Sequence, residues 1–584
     1  MEKEPKTFSD FNFLGSTNLN WNNIIDQNNW RENDDKTVYA NELLNQKEID
    51  LGHQVKKIEM KTWLQSNEKR SPNIFCRNSQ KELWNEVLDY LESEEDTHAI
   101  VTGNPGIGKS RSMSYLLRLL LQKKKIIVYE VKKDEAAHIF MPQEDGSYKV
   151  WSCEYFRPSA CSHLKNPDNY YLIDPDTPSS PTNVVSHTVL CASPNISHYK
   201  EFQKRPGVLL WLMPTWKKEE LKCLQNELEI NGYCLEDDEF EKRYKMFGGR
   251  IRYIYCALEE YDKYFMHLEN SIEDLKLDQL IKGLSHQVID VRQSKEEGPS
   301  MLFAYDVSGT VGHYRMTSQN ISVSVASEGV RQLLAVKYWK MIMETLNPNN
   351  ANYSGNSIQN GRLFELISSV YLEFPVSLKA YDKEHHHDHD LKLIQGKRIE
   401  FSGEWDQYLD HCSKLKENSS IREIVIPKAT NQPVLDFMDQ RNRGYQITVG
   451  KGHAINRKNI QNIIEKLKIS TDNPFYLYFV VLECNAQEFK WYYEGEFSID
   501  PRVQSIENKT VKMLKEELKD NHFDVNTKNK EELVKLMLAE QNIPSETSND
   551  ISKKIDACLR IFYIAIPEET DKKIEELIAE IQKK

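Results

Sequence analysis

HAIVTGNPGIGKSRSMSYLLRLLLQKKKIIVYEV, residues 98–131, carries the pattern G-x-x-x-x-G-K-S with Gly103, Gly108, Lys109 and Ser110 in its constrained places. The apolar run at 99–101 predicts a short buried strand, and the periodic apolar segment at 113–121 predicts a helix. A strand, a glycine loop and a helix in that order make a P-loop. The glycines let main-chain N–H groups wrap phosphate oxygens, Lys109 supplies charge at the terminal phosphates, and the Ser110 hydroxyl is placed for Mg2+. Gly103, Asn104, Pro105, Gly106, Ile107, Gly108, Lys109, Ser110 and Arg111 are therefore the expected nucleotide-binding set.

Outward from this stretch, 584 residues exceed one ordinary core, so several domains are expected. With 39% hydrophobic and 10% aromatic residues the chain can bury large cores, and it has no repetitive bias. A formal charge of −13 excludes a polycation drawn to nucleic acid by bulk charge; such contact needs a local basic surface. The ten cysteines show no C-x-x-C pair or zinc-finger spacing, which points to reduced thiols in a nuclear or cytoplasmic setting. Charges and asparagines stand where a signal peptide needs an apolar core, and no segment has the length of a membrane span, so no membrane partner is expected.

A P-loop also needs a carboxylate at the end of a neighbouring strand for Mg2+. YYLIDPDT, 170–177, supplies Asp174 as the expected metal-side and catalytic carboxylate, with Asp176 in reserve. The apolar run at 189–192 ends in Ser193-Pro194-Asn195, a polar strand tip suited to a sensor role. WLMPTW, 211–216, reads as another strand end. MFGGRIRY, 246–253, places Arg250 and Arg252 after a glycine turn, where a helical lid could carry them to the nucleotide.

The order GNPGIGKS, YEVKK, LIDPD, SPN with HYKEF, WLMPTW and FGGRIRY resembles the retrotransposon hot spot proteins of trypanosomatids and the related P-loop modules of Crinkler-type effectors. The resemblance runs from about residue 76 to the end of the chain. It implies an α/β P-loop ATPase with a helical lid, joined to a C-terminal region like restriction-endonuclease-fold nucleases, whose active sites are often degraded. ATP and Mg2+ are the implied cofactors.

Such a nuclease needs acidic or amide oxygens around Mg2+ and a lysine near the attacking water. PVLDFMDQRNRGYQITVGKGH, 433–453, has that layout: Asp436 ends an apolar run, a turn containing Gly444 follows, and a second strand at 445–449 carries Gln446. Glu365, on the amphipathic segment at 361–372, is a further expected carboxylate, and Asp436 is the expected metal ligand. Thr448 stands where the family pattern has lysine; Lys451 or His453 could restore the positive group, or the site could bind without cutting. The stretch EHHHDHD, 384–390, reads as a solvated loop rather than a metal site. Residues 511–538 resemble a SAP-type helix–loop–helix, with Lys512, Lys515, Lys528 and Lys530 as phosphate contacts, although the usual loop glycine is missing.

The expected organisation is a variable region at 1–75, a P-loop core at 76–215, a helical lid at 216–290, a mixed connection at 291–350, a nuclease-like α/β domain at 351–505, a SAP-like helical pair at 506–545, and a final strand and helix at 546–584. The expected function is an ATPase coupled to a nucleic-acid-associated domain, DNA rather than RNA, with oligomerisation open. The rivals are a non-catalytic chromatin or RNA-associated protein that uses ATP as a switch, and a Crinkler-like nuclease effector.

Overall fold

The computed structural model describes residues 28–62, 64, 72–93, 97–131, 136–175, 184–194, 198–228, 234–284, 301–307, 314–317, 321–347, 357–382, 388–401, 403–415, 421–427, 435–496, 501–520, 528–541 and 547–566. The chain divides into two compact units, meeting in sequence between Leu334 and Ala335, each built on a mixed eight-stranded sheet.

In the first unit the sheet order is Arg31–Glu32, Tyr148–Glu154, Ala136–Pro142, Ile127–Val131, Tyr170–Asp174, His187–Cys191, His98–Thr102 and Val208–Leu212. The last five run parallel, and the remainder extends the sheet by antiparallel pairing. Both faces of the parallel part are covered, which is why its strands read as continuous apolar runs. Alternate residues go to opposite sides. Ala99, Val101, Tyr129, Leu172 and Val189 pack with Met113, Leu116 and Leu120 of the helix Lys109–Gln122. Ile100, Val128, Tyr171, Ile173 and Leu190 form the other core with Trp151 and Phe202.

Described residues of the expected N-terminal region at 1–75 pack into the first unit. Tyr39, Leu43, Val55 and Ile58 share the core of the helix Lys109–Gln122, and Glu48–Gly52, Val55–Ile58 and Ile74–Arg77 form a three-stranded antiparallel sheet. The expected connection at 291–350 is also divided differently: Phe303–Val307 pairs antiparallel with Ile321–Val325 inside the first unit.

The second unit orders its strands His389–Leu393, Val376–Tyr381, Leu559–Ile566, Phe475–Leu482, Arg443–Ile447, Phe437–Gln440, Arg422–Pro427 and Gly396–Phe401. Val425, Met438, Leu477, Phe479 and Val481 pack against Ile460, Ile463 and Ile464 of the helix Arg457–Lys466. On a neighbouring surface the buried Asp439 carboxylate is fully engaged: Arg422 donates at 2.6 Å, Arg443 at 2.6 and 3.0 Å, and the Tyr445 hydroxyl at 3.1 Å. A buried charge is tolerated when it is paired in this way.

Phe475–Leu482 and Leu559–Ile566 lie side by side in parallel, although a helical segment separates them in sequence. That segment is larger than a helical pair. Val503 and Ile506 of Pro501–Glu507 join Leu514 and Leu518 of Val511–Asp520 and Leu533, Val534, Met537 and Leu538 of Lys530–Glu540 in one small core.

Candidate functional site

Four parallel strands of the first unit, Tyr170–Asp174, His187–Cys191, His98–Thr102 and Val208–Leu212, end on the same edge of the sheet. Carboxyl ends of parallel strands in open α/β sheets are where ligands bind. The loop 103–108 leaves this edge and enters the helix Lys109–Gln122.

Two glycines set the loop's shape. Gly106 and Gly108 have φ of +78° and +92°, backbone that side chains rarely adopt. A Cβ on Gly106 would also lie 3.2 Å from the Tyr253 ring and 3.3 Å from the Arg252 Cβ. With Gly108 as its cap, the helix presents its first N–H groups toward the loop, a positive end suited to anions.

Lys109 curls back so that its Nζ donates to the Gly103 carbonyl at 2.8 Å and the Asn104 carbonyl at 3.0 Å. Removal from water pulls its ammonium down to about 8; the Arg252 and Arg250 charges act in the same direction, while the Cys191 thiol and Asp174 oppose it. An anion at the loop would reverse much of that shift. The Ser110 hydroxyl donates to Asp174 Oδ1 at 2.9 Å, so two oxygens separated by 64 residues in sequence meet at one point. Hydroxyl and carboxylate oxygens are ligands for a hard divalent cation. Asp176 and Asn195 lie outside the described residues.

The rear of the loop is held by WLMPTW. Met213 N donates to the Thr102 carbonyl at 2.8 Å, and the buried Trp216 Nε1 donates to the Ile107 carbonyl at 2.8 Å. Trp216 is backed in turn by the Arg77 guanidinium, 4.6 Å from its ring.

The two candidate lid arginines separate. Arg252 is exposed, its main-chain N–H bonds the Gly106 carbonyl at 3.0 Å, and its charge is felt by Lys109. Arg250 does not present its guanidinium to the loop. It is buried, donates to the Met301 carbonyl at 2.8 Å and the Phe303 carbonyl at 3.1 Å, and burial lowers it to about 10. A guanidinium buried on main-chain carbonyls is a structural clamp, so the sequence-based expectation for Arg250 is corrected.

In the second unit, Asp436 and Gln446 come together. Asp436 Oδ2 accepts from Gln446 Nε2 at 3.0 Å and from the Ile447 N–H, and desolvation, reinforced by the Glu365 charge, pushes the acid up to about 8. The turn is at 441–442; Gly444 lies within Arg443–Ile447, opposite Met438. Thr448 falls just past that strand, its N–H bonded to the Val480 carbonyl. Lys451 is not delivered to Asp436: it is exposed and paired with Glu488 at 2.6 Å. The His453 ring packs 5.3 Å from Phe479, and burial lowers its pKa. Among the described residues no group of three His, Cys, Asp or Glu forms a metal cluster. Within 384–390, residues 384–387 lie outside the described residues, and His389 packs edge-on to Phe562 with Tyr478 Oη 3.0 Å from its Nε2.

On the inserted helices Lys512 is exposed and lies 3.9 Å from Glu516, and Lys535 is paired with Glu531 and Asp550. Glu516 therefore offsets part of the charge of Lys512, one of the expected contacts Lys512, Lys515, Lys528 and Lys530. No described helix is long and apolar enough to cross a membrane.

The fold and this strand-end site define a mixed α/β protein with a glycine loop at the carboxyl edge of a parallel sheet. No protein-family model matches the chain. It is similar to Crinkler effector protein 15 of Phytophthora infestans, 23% identical over 402 residues, covering 66% of this chain and 60% of the relative. It is equally similar to Crinkler effector protein 16 of the same organism, 23% over 403 residues, covering 66% and 59%. The matched region thus spans about three fifths of each relative. This similarity supports the Crinkler part of the resemblance; the hot spot part rests on motif order alone.

Proposed function

We propose that the first unit binds and hydrolyses a nucleoside triphosphate, ATP being the expected one. The observation that carries this reading is the meeting of Ser110 with Asp174 beside Lys109, at the mouth of a glycine loop that opens a helix. The loop N–H groups and Lys109 would hold the phosphates, and Arg252 would approach from the lid. Ser110 and Asp174 would hold Mg2+, which supplies positive charge to the phosphate oxygens when bound. Asp174 would also order a water for attack. The test is ATP turnover by the full chain. Asp174→Asn should slow turnover by at least about tenfold while leaving binding largely intact, because it disturbs metal placement more than phosphate capture. Equal turnover would move the metal role away from Asp174.

For the second unit, the Asp436–Gln446–Glu365 grouping supports a nuclease-like, nucleic-acid-associated reading with weak or no cleavage, since Thr448 offers a neutral hydroxyl where a lysine would offer charge. Thr448→Lys should raise Mg2+- or Mn2+-dependent nicking of DNA, and Asp436→Ala should remove it. If both variants match the parent, the unit binds without cutting and the switch-like rival stands. The names of the two relatives make an effector role the further reading for the whole chain.

A further inference from the structure

One edge of the strand Phe303–Val307 pairs with Ile321–Val325; the other is filled by side chains. Successive main-chain groups along that edge are taken by the lid turn and the glycine loop. Arg250 binds the carbonyls of Met301 and Phe303 at 2.8 and 3.1 Å. Asn104, fully buried, then makes a reciprocal pair with Tyr305: its Nδ2 donates to the Tyr305 carbonyl at 3.1 Å and its Oδ1 accepts the Tyr305 N–H at 3.2 Å. Residues two apart on a strand direct their main-chain groups to the same side, so Arg250 and Asn104 together replace a neighbouring strand. A buried carboxamide with both arms used is a rigid joint, because breaking it strands a donor and an acceptor away from water.

The same residue touches the reactive end of the loop, for the Asn104 carbonyl is one of the two acceptors of Lys109 Nζ. Lys109, Asn104, Tyr305 and the strand Phe303–Val307 form an unbroken polar chain across 201 positions of sequence. The main chain of Asn104 thus holds Lys109 while its side chain holds Tyr305.

We propose that Asn104 is a positioning residue that ties the glycine loop to the two-stranded sheet Phe303–Val307/Ile321–Val325, so that a triphosphate at the loop is felt at that sheet. This rests on the triphosphate reading of the loop and adds the element that responds to it. Drawing Lys109 toward phosphate removes the partner of the Asn104 carbonyl, and the change is passed through the carboxamide to Tyr305. The sheet leads directly into the helix Glu328–Leu346.

The experiment is hydrogen–deuterium exchange on the full chain, with and without Mg2+ and a slowly hydrolysed ATP analogue, alongside equilibrium binding of the same analogue. In the parent, the analogue should change exchange at 303–307 and 321–325 by about threefold or more. In Asn104→Ala that response should vanish, with kcat down by about tenfold and KM for ATP moved by less than about threefold. A merely structural role predicts faster exchange there in all states but a preserved response to the analogue. If the parent binds the analogue and those amides do not respond, the coupling is wrong and the triphosphate site survives. If the parent does not bind it at all, both readings fail. The parent arm decides the matter even where Asn104→Ala does not fold.

Discussion

Asp174 and Asp436 each sit at the end of an apolar run, yet the two units treat them differently. Asp174 lies at the carboxyl end of a parallel strand, receives the Ser110 hydroxyl at 2.9 Å, and stands beside a lysine delivered by the next-but-one strand's loop. Asp436 is met by an amide and a main-chain N–H, lies within reach of the Glu365 charge, and is pushed up to about 8. The difference lies in where the cation comes from. In the first unit Lys109 opens the helix that the same short loop leads into, so local chain geometry brings it there. In the second, the candidate cation Lys451 must be supplied from beyond the strand, and it is spent on Glu488 at the surface. An acid removed from water and near another carboxylate, as Asp436 is, favours its proton.

The strongest way to break this comparison is Lys109→Ala. Loss of the ammonium that folds back on the loop should reduce ATP affinity and turnover by at least about 100-fold, read by equilibrium binding and phosphate release. A variant that binds as tightly as the parent would place the phosphates elsewhere.

Titration sharpens the other half. An unfolded aspartate has a pKa near 3.9, whereas Asp436 stands at about 8, so folding favours its protonated form. The stability it contributes is fully present below about pH 4 and is lost as pH rises to about 8. Asp436→Asn should therefore melt at the parent's temperature near pH 4 and at least roughly 2–4 °C above it near pH 8.5, the shift that about 1 kcal/mol brings in a unit of this size. Mn2+ at pH 8 should raise the melting temperature of the parent and not of the variant if Asp436 is a metal ligand. A parent that is indifferent to Mn2+ would leave the grouping as a plain half-buried acid.

The smallest effect concerns the inserted helices. Replacing Lys512, Lys515, Lys528 and Lys530 by alanine should weaken DNA binding and flatten its salt dependence, by roughly 0.9 in the log–log slope for each duplex phosphate no longer neutralised. A slope unchanged by all four substitutions is the result that would move nucleic-acid binding to another surface.

What the sequence by itself determined is local. Residues 98–131 specify strand, loop and helix because the apolar period changes from continuous to helical around two glycines that adopt positive φ. Asp174 is legible for the same reason, as a polar residue ending a four-residue apolar run. Tertiary structure alone decided the rest. Arg250 and Arg252 look equivalent in FGGRIRY, but one is buried on the carbonyls of Met301 and Phe303 and the other is exposed beside Lys109. Residues 28–75 carry no motif, yet Tyr39, Val55 and Ile58 complete the core behind the loop helix. The Asn104–Tyr305 joint has no signature at all in the sequence. Each of these depends on which main-chain groups the fold leaves unpaired at a strand edge or which apolar face it leaves uncovered, and those are set by partners far away in the chain rather than by sequence neighbours.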